Sequence, residues 1–325
     1  MEIKTILKTN MTTLPMLSNK IINNILKSRE LENLEIIRNI EKLLIKKRGY
    51  IYKMPKPNTP VILLFSGGLD TTIIAAIMME EFGLEIYPVF TKRSHPYQQA
   101  EEKAAYYFTK YFQKRYNGLF HDPLKIEVSF PPIEIRWAYE KVENLPVAKD
   151  SNQIWGDYFY SNLLCTYAAQ CAYYYQITKN IHIRTIITAF MKSDGEGKID
   201  MTLTTLRATM LGICMVTHDF DWQVTALPLE TELGFFYDKD YFIKWAKDKN
   251  IPLEKTRSSC RSSSIHHCGE CLICNIRIES FKKAGIIDKT IYSNQKDKSL
   301  ISKLGKTVIP SNKLRQLIKK TLNIN

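Results

Sequence analysis

The sequence lacks the features that would place it in several common protein classes. No apolar run is long enough to cross a bilayer, and Glu2 and Lys4 have no apolar stretch behind them. We therefore expect neither a signal peptide nor a transmembrane helix, and we expect a cytoplasmic location. Neither the G-x-x-x-x-G-K-[ST] loop nor the G-x-G-x-x-G turn occurs, which excludes the common P-loop NTPases and the dinucleotide-binding folds.

Acidic residues are also few, since 33 of them face 46 basic residues. The excess is concentrated at the two ends: residues 1–50 carry ten basic and five acidic residues, and residues 296–325 carry eight and one. Such flanks suit RNA, DNA or an acidic protein partner. However, the whole chain is rich in Lys, Asn and Ile, which favours a general drift in composition as the reason for the basic flanks. Contact with nucleic acid therefore stays an open question.

Apolar runs alternate with helical patterns along most of the chain. With 325 residues and 45% hydrophobic content, the chain can form one large α/β domain or two smaller ones. We expect strands at 61–65, 85–91, 124–130, 184–190 and 222–227, helices at 98–116, 158–176 and 202–216, and a helix that ends near 82. Residues 20–48 predict one long amphipathic helix or two short ones. This alternation predicts a doubly wound parallel sheet, whose ligand should bind at the carboxyl ends of the strands.

The first strand runs into the turn Phe65-Ser66-Gly67-Gly68-Leu69-Asp70-Thr71-Thr72. Two glycines let the backbone approach a ligand closely, and the free N–H groups of the helix that follows attract an anion. The hydroxyl groups of Ser66, Thr71 and Thr72 add donors. This pattern favours a phosphate site, although an ordinary turn with Asp70 as the helix cap would use the same residue types.

Four of the seven cysteines, Cys260, Cys268, Cys271 and Cys274, lie within fifteen residues. Crowding of this kind in a cytosolic chain indicates a metal site, for which zinc is the default and an iron–sulfur cluster is the alternative. We expect His266 and His267 beside them to belong to a solvated loop. Scattered through apolar helical segments, Cys165, Cys171 and Cys214 are expected to be small buried hydrophobes.

Both motifs resemble those of one known family. The segment Ser66 to Thr71 resembles the PP-loop signature S-G-G-x-D-[ST] of the ATP pyrophosphatases, which transfer AMP from ATP to a substrate oxygen. The cysteine segment, continued by Arg277, Phe281, Ala284-Gly285, Asp288, Thr290 and Tyr292, resembles the end of QueC, 7-cyano-7-deazaguanine synthase, with its pattern C-G-x-C-x-x-C-x-x-R and F-x-x-A-G-x-x-D-x-T-x-Y. Pro228-Leu229 and the segment 239–256 are also similar to this family, and Arg93 and His95 are loosely similar to its Q-R-H motif.

The resemblance implies an adenine nucleotide alpha hydrolase-like fold with a C-terminal Cys₄ zinc subdomain. It implies that residues 65–72 bind ATP, that Asp70 holds Mg²⁺, that Lys239 stabilises transition-state charge, and that the four cysteines bind Zn²⁺. A solvated lysine at a helix start is the alternative for Lys239. The implied domains are a helical extension (1–55), the ATP-binding domain (56–250), the zinc subdomain (251–292) and a basic tail (293–325). A homodimer is also implied.

For the reaction, the resemblance implies adenylation of a 7-carboxy-7-deazaguanine-type carboxylate, followed by attack of ammonia to give the nitrile. The chain departs from the family at 151–157 and 192–200, where the V-P-x-R-N and D-x-S-G-Y-P-D-C-R motifs are not legible. Asp194 and Asp200 either keep part of the substrate site or are structural. Three alternatives remain open: a defence enzyme that joins the carboxylate to a partner protein's amine, a tRNA-thiolating enzyme, and a non-catalytic binding module.

Overall fold

A five-stranded parallel sheet forms the centre of the molecule, in the strand order β3-β2-β1-β4-β5. The computed structural model describes residues 16–92, 97–128, 159–260, 262, 264 and 266–293. The strands are β1 Pro60–Leu64, β2 Glu85–Lys92, β3 Leu124–Glu127, β4 Thr185–Thr188 and β5 Gln223–Ala226. The helices are α1 Asn19–Lys27, α2 Leu34–Arg48, α3 Leu69–Glu80, α4 Gln98–Arg115, α5 Tyr160–Lys179, α6 Asp194–Gly197, α7 Leu203–Thr217, α8 Lys239–Asp248 and α9 Leu272–Ala284. The predicted doubly wound sheet is confirmed, with element ends shifted by a few residues.

Side chains of β1 alternate between two hydrophobic cores. Val61 and Leu63 face a core shared with α3, α4, α8 and α9. Ile62 and Leu64 face a second core shared with α1, α2, α5 and α7. Helices therefore cover both faces of the sheet, and the central strand is buried on both sides, as its unbroken apolar sequence requires.

The N-terminal pattern forms two helices rather than one. Ser18 caps α1 through the N–H of Ile21, and Asn33 caps α2 through the N–H of Ile36. Their apolar faces lie in the same core as β1, β4 and β5; those side chains are Ile22, Leu26, Ile37, Ile40 and Leu44. The helical extension thus packs directly on the sheet. The domain limits at 55, 250 and 292 stay predictions.

The strand order reverses beside β1, because β2 and β3 lie on one side of it and β4 and β5 on the other. Ile62 pairs with Tyr87 of β2 and with Ile186 of β4, so the two strands flank β1 at one level. A crevice opens at such a reversal, outside the carboxyl ends of the strands. The segments after β1 and β4 therefore meet at the place where a ligand is expected.

Several features predicted from the sequence cannot be compared with the structure. The segment 151–157, Arg93, His95 and the tail beyond 293 lie outside the described residues. Among the helices of the described ranges, none combines the length and the apolar character that a bilayer span requires.

Candidate active site and metal centre

The turn after β1 is pressed against helix α4. Gly67 has φ +72°, and a Cβ atom there would lie 2.4 Å from the backbone nitrogen of Ala105. Both the positive φ and the close contact require glycine. Phe65, just before the turn, is buried and donates its N–H to Val89 O at 2.9 Å. The turn is therefore fixed between β2 and α4.

Hydroxyl groups connect the two sides of the turn. Ser66 Oγ accepts the N–H of Gly68 at 3.2 Å and lies 3.3 Å from Thr71 Oγ1. Gly68 is the N-cap of α3, and no side chain caps this helix. The alternative in which Asp70 serves as the helix cap is wrong, because Asp70 lies within the first turn of α3 and points to Lys239.

A cluster of three charges lies beside the turn. The Nζ atom of Lys239 is 2.7 Å from Asp70 Oδ2 and 3.2 Å from Asp194 Oδ1. Asp70 follows β1, Asp194 follows β4, and Lys239 is the first residue of α8. The alternative of a solvated lysine is wrong, since Lys239 is only 9% exposed. We call Asp70, Lys239 and Asp194 the site triad.

The electrostatics of the site triad favour a charged lysine. Burial acts to lower the pKa of Lys239, but Asp194 and Asp70 raise it above its usual value. Burial raises the pKa of Asp70, and the attraction of Lys239 opposes this shift. The lysine therefore keeps its positive charge next to the turn after β1, where the sequence predicts a phosphate site.

Two polar atoms at this turn are buried without a partner among the described residues: Asp70 Oδ1 and Thr72 Oγ1. A buried oxygen without a donor is unfavourable unless a ligand or a cation completes it. Carboxylate and phosphate oxygens together form the ligand set that Mg²⁺ prefers. The residues present therefore fit a magnesium–phosphate group, which Asp70 Oδ1 is placed to contact.

The two candidate acids of the divergent segment 192–200 have different positions. Asp194 belongs to the site triad. Asp200 is 4% exposed and accepts hydrogen bonds from the N–H and hydroxyl groups of Ser161, at 3.2 and 2.9 Å. Asp200 thus holds the start of α5, and a contact with substrate stays a prediction.

The four clustered cysteines converge on one point. Their sulfur atoms all lie within 4.8 Å of one another, and Cys268 Sγ is 3.8 Å from Cys274 Sγ. Zn–S bonds of about 2.3 Å in a tetrahedron separate the sulfurs by about 3.8 Å. These cysteines could therefore hold a metal together, and the donor set fits either zinc or an iron–sulfur cluster.

Backbone N–H groups point at the sulfur atoms of the cluster. Cys260 Sγ accepts from the N–H of Cys268 at 3.2 Å, and Cys268 Sγ accepts from the N–H of Cys271 at 3.3 Å. Burial acts to raise the pKa of Cys260, but the N–H groups of Cys268 and Ser262 lower it to about 6. This environment stabilises the thiolate that binds metal.

The expectation of a solvated loop is wrong for His267, which is only 2% exposed. Its Nε2 accepts the N–H of Ser258 at 3.3 Å, and its backbone O accepts the N–H of Ser293 at 2.8 Å. Burial lowers its pKa to about 3, so the ring is neutral and acts as a fixed acceptor. By contrast, Cys165, Cys171 and Cys214 are buried in the core, as predicted.

Residues at the motif positions after the cysteines form a buried network. The guanidinium of Arg277 contacts Asp288 at 3.1 Å, Thr290 Oγ1 at 2.7 Å and Thr256 Oγ1 at 2.8 Å. Tyr292 donates its hydroxyl to Asp288 at 2.6 Å. The R, D, T and Y positions of the motif thus hold the metal-binding segment together.

A backbone hydrogen bond joins the segment that carries the four cysteines, residues 256–292, to the turn after β1. Arg257 donates its N–H to Gly67 O at 3.0 Å, and nearby Ser259 donates its hydroxyl to Glu101 of α4 at 2.9 Å. Sequence reasoning missed Arg257 and Glu101, because nothing in their local sequence signals this contact. It also left the place of Asp194 open, although an acid that closely follows β4 at the strand reversal is a usable signal.

Comparison with known proteins agrees with this arrangement. The model of the family "Queuosine biosynthesis protein QueC" matches residues 60–285. The 7-cyano-7-deazaguanine synthase of Nautilia profundicola is 25% identical over 236 residues, which cover 72% of this chain and 98% of that protein. The enzyme of the same name from Thermoplasma volcanium is 22% identical over 256 residues, covering 74% of this chain and 92% of that protein.

A solved structure, the U34-tRNA thiolase NcsA of Methanococcus maripaludis with its [4Fe-4S] cluster, matches over 85% of this chain and 80% of that chain. Its 12% identity and TM-score of 0.36 are too low to assign chemistry. The family match, on a chain with this parallel sheet and this turn after β1, makes the protein an ATP-using enzyme of the PP-loop class. Within that class, the chain belongs to the QueC family, as a divergent member. The roles of residues 65–72, Asp70 and Lys239 toward ATP stay predictions.

Proposed function

We propose that this protein uses ATP to adenylate the carboxylate of a 7-carboxy-7-deazaguanine-type substrate, and that ammonia then displaces AMP on the way to 7-cyano-7-deazaguanine. Membership of the QueC family supports this reaction. Two relatives named 7-cyano-7-deazaguanine synthase support it as well, because the match covers nearly the whole length of each of them.

The observation that carries the proposal is the position of the site triad. Asp70 and Lys239 lie beside the uncapped start of α3, where an anion is favoured. Asp194 reaches the same lysine from the segment after β4. A positive side chain is thus held between two strand ends, where phosphate and carboxylate groups would meet.

In the first step, a carboxylate oxygen of the substrate attacks the α-phosphorus of ATP, and the bond to the β-phosphate breaks. Lys239 would stabilise the negative charge that gathers on the phosphate oxygens, and the N–H groups and hydroxyls of the turn would hold the departing pyrophosphate. Fixing both reactants in line lowers the barrier further.

In the second step, the nitrogen of ammonia attacks the activated carbon and the carbon–oxygen bond to AMP breaks. A proton is released as the amide forms. A second ATP adenylates the amide oxygen, and loss of AMP and a proton gives the nitrile. The same turn and lysine would serve both adenylations, because each has the same leaving pyrophosphate.

Asp70 would hold Mg²⁺ through its unpartnered Oδ1, and the ion would offset the charge of the phosphates. We propose zinc rather than an iron–sulfur cluster for the four cysteines, since one tetrahedral ion fits their spacing. Its role would be structural, because the segment 256–292 has only a small core of its own, centred on Cys260, Cys274 and Tyr292.

The direct test incubates the full chain with ATP, the carboxylate and ammonia, and measures AMP, pyrophosphate and the nitrile. We expect all three products, and we expect Lys239→Met to form AMP at least about 100-fold more slowly. Lys244→Met, on the exposed side of the same helix, is the matched control and should keep the wild-type rate. Absence of AMP with the wild-type chain would refute the proposal.

Formation of AMP without the nitrile would instead favour another amine as acceptor, such as an amine of a partner protein. Metal analysis of the purified chain should find about one zinc per chain and no iron. Iron would favour a tRNA-thiolating activity. A homodimer and a cytoplasmic location stay predictions, which sedimentation and cell fractionation would test.

A further inference from the structure

The connection between α1 and α2 reaches the segment that carries Asp194. Arg29 donates from Nη2 to the carbonyl oxygen of Lys192 at 2.8 Å and from Nη1 to Glu196 Oε1 at 3.0 Å. Its side chain is only 8% exposed. Arg29 lies outside residues 60–285, which match the QueC family, so the family motifs assign it no role.

Neighbouring contacts fix the connection that carries Arg29. Both carboxylate oxygens of Glu32 accept N–H groups at the start of α7, from Leu203 at 3.0 Å and Thr204 at 2.9 Å. The N–H of Asn33 donates to the hydroxyl of Thr204 at 2.8 Å. Arg29 therefore projects from a rigid support rather than from a free arm.

The segment held by Arg29 is folded tightly on its other side. Asp194 accepts the N–H of Met191 through Oδ2 at 2.9 Å, while its Oδ1 binds Lys239. Ser193 donates its N–H to Asp238, the residue before Lys239, at 2.8 Å. Residues 191–196 thus connect Arg29 on one side with the site triad on the other.

Close packing at Gly195 shows how directly Arg29 meets this segment. A Cβ atom at position 195 would lie 3.0 Å from Arg29 Nη2 and 3.2 Å from the carbonyl oxygen of Met201. A methyl group there would require the guanidinium to shift by a few tenths of an ångström from its place on Lys192 O. Glycine therefore permits the contact that fixes the segment.

We propose that Arg29 is a positioning residue of the active site. By holding the carbonyl group of Lys192, it fixes residues 191–196 so that Asp194 stays on Lys239. Its catalytic consequence rests on the proposed adenylation, but its effect on the segment does not. The buried bond to Lys192 O carries this role, because the partner in the other contact, Glu196, has a 60% exposed side chain and such surface pairs contribute little.

The test compares Arg29→Met, Arg29→Lys and Glu196→Gln with Arg38→Met, a control in which an exposed arginine of α2 is changed in the same way. The first readout is hydrogen exchange of residues 191–197 in the full-length protein, which needs no assumption about function. We expect faster exchange in Arg29→Met, a smaller change in Arg29→Lys, and wild-type exchange in the other two.

The second readout is the steady-state rate of AMP formation. Arg29→Met should lower kcat by roughly tenfold to 100-fold with little change in the KM for ATP, because a misplaced Asp194 would no longer hold the ammonium group of Lys239 in position, while the phosphate turn is unchanged. Gly195→Ala should have a smaller effect in the same direction from the other side of the contact and guards against a folding defect in one variant.

Unchanged exchange at 191–197 in Arg29→Met would overturn the inference, and so would an effect of Glu196→Gln as large as that of Arg29→Met. Faster exchange with an unchanged kcat would also overturn it. If the wild-type protein forms no AMP, the adenylation proposal fails, and the exchange data still decide whether Arg29 holds the segment.

Discussion

Two clusters in this molecule, each built around a buried cation, have the same charges but different surroundings. The site triad joins Lys239 to Asp70 and Asp194. The second cluster joins Arg207 to Glu230 and Glu41, and we call it the core triad. Each has one cation and two carboxylates, so their charge content does not distinguish a functional cluster from a structural one.

The two triads differ in how completely their carboxylate oxygens are hydrogen-bonded. Arg207 and Glu230 are fully buried, and both oxygens of Glu230 have partners: Oε1 accepts from Arg207 and the N–H of Glu232, and Oε2 from Arg207 and the hydroxyl of Thr225. In the site triad, Asp70 Oδ1 is buried without a partner among the described residues. A complete cluster stabilises the fold, whereas an incomplete one is ready for a ligand.

The first prediction breaks the core triad with Glu230→Gln. This change leaves Arg207 buried with Glu41 alone on its far side, and loss of one partner of a buried ion pair destabilises a protein by about 3 to 5 kcal/mol. Urea unfolding should show that loss in the free energy of unfolding. AMP formation per folded molecule should stay at the wild-type rate.

Glu232→Gln is the matched control, because Glu232 is two residues away and exposed. It should unfold within about 0.5 kcal/mol of the wild type. If Glu230→Gln kept full stability, the core triad would not be the structural element that its hydrogen bonds indicate.

The second prediction breaks the site triad with Asp70→Asn. The substitution keeps the shape of the side chain but removes the charge next to Lys239 and the carboxylate that would bind a cation. AMP formation should fall by about 100-fold to 1000-fold, while the midpoint of urea unfolding should change little. A marked loss of stability with a proportionate loss of activity would make the site triad a second structural cluster.

Local sequence patterns predicted most of the fold. Five apolar runs that alternate with helical segments became five parallel strands, because strands buried on both faces need unbroken apolar sequence. The glycine turn and the four cysteines were also found, since their chemistry depends on neighbours within a few positions. Local spacing likewise indicated that Ile22 to Leu44 would be helical.

The contacts that the sequence did not predict join distant positions. Lys239 and Asp70 are 169 positions apart, and Arg29 and Glu196 are 167 apart. Nothing near Lys239 distinguishes it from a solvated lysine, and nothing near His267 signals its burial. These contacts depend on the order of the strands in the sheet, because that order decides which distant segments lie side by side. A single sequence does not give that order.

The third and smallest prediction tests whether the Arg277 network behaves like the core triad. Burial acts to raise the pKa of Asp288, but Arg277, Thr290 and Tyr292 lower it below its usual value. The folded protein therefore releases this proton more readily than the unfolded chain, so the stabilisation is present above about pH 4 and is lost as the pH falls through the folded pKa. Asp288→Asn should lower the free energy of unfolding by about 2 kcal/mol at neutral pH.

Unfolding measured between pH 7 and pH 2.5 should show the difference between wild type and Asp288→Asn narrowing in the acid range. Glu279→Gln, on the exposed face of α9 with a 59% exposed side chain, should follow the wild-type curve at every pH. Because Asp288 has hydrogen bonds from Arg277, Thr290 and Tyr292, it resembles Glu230 rather than Asp70. A pH-independent difference would mean that its charge contributes nothing, and that the network stabilises the metal-binding segment through shape alone.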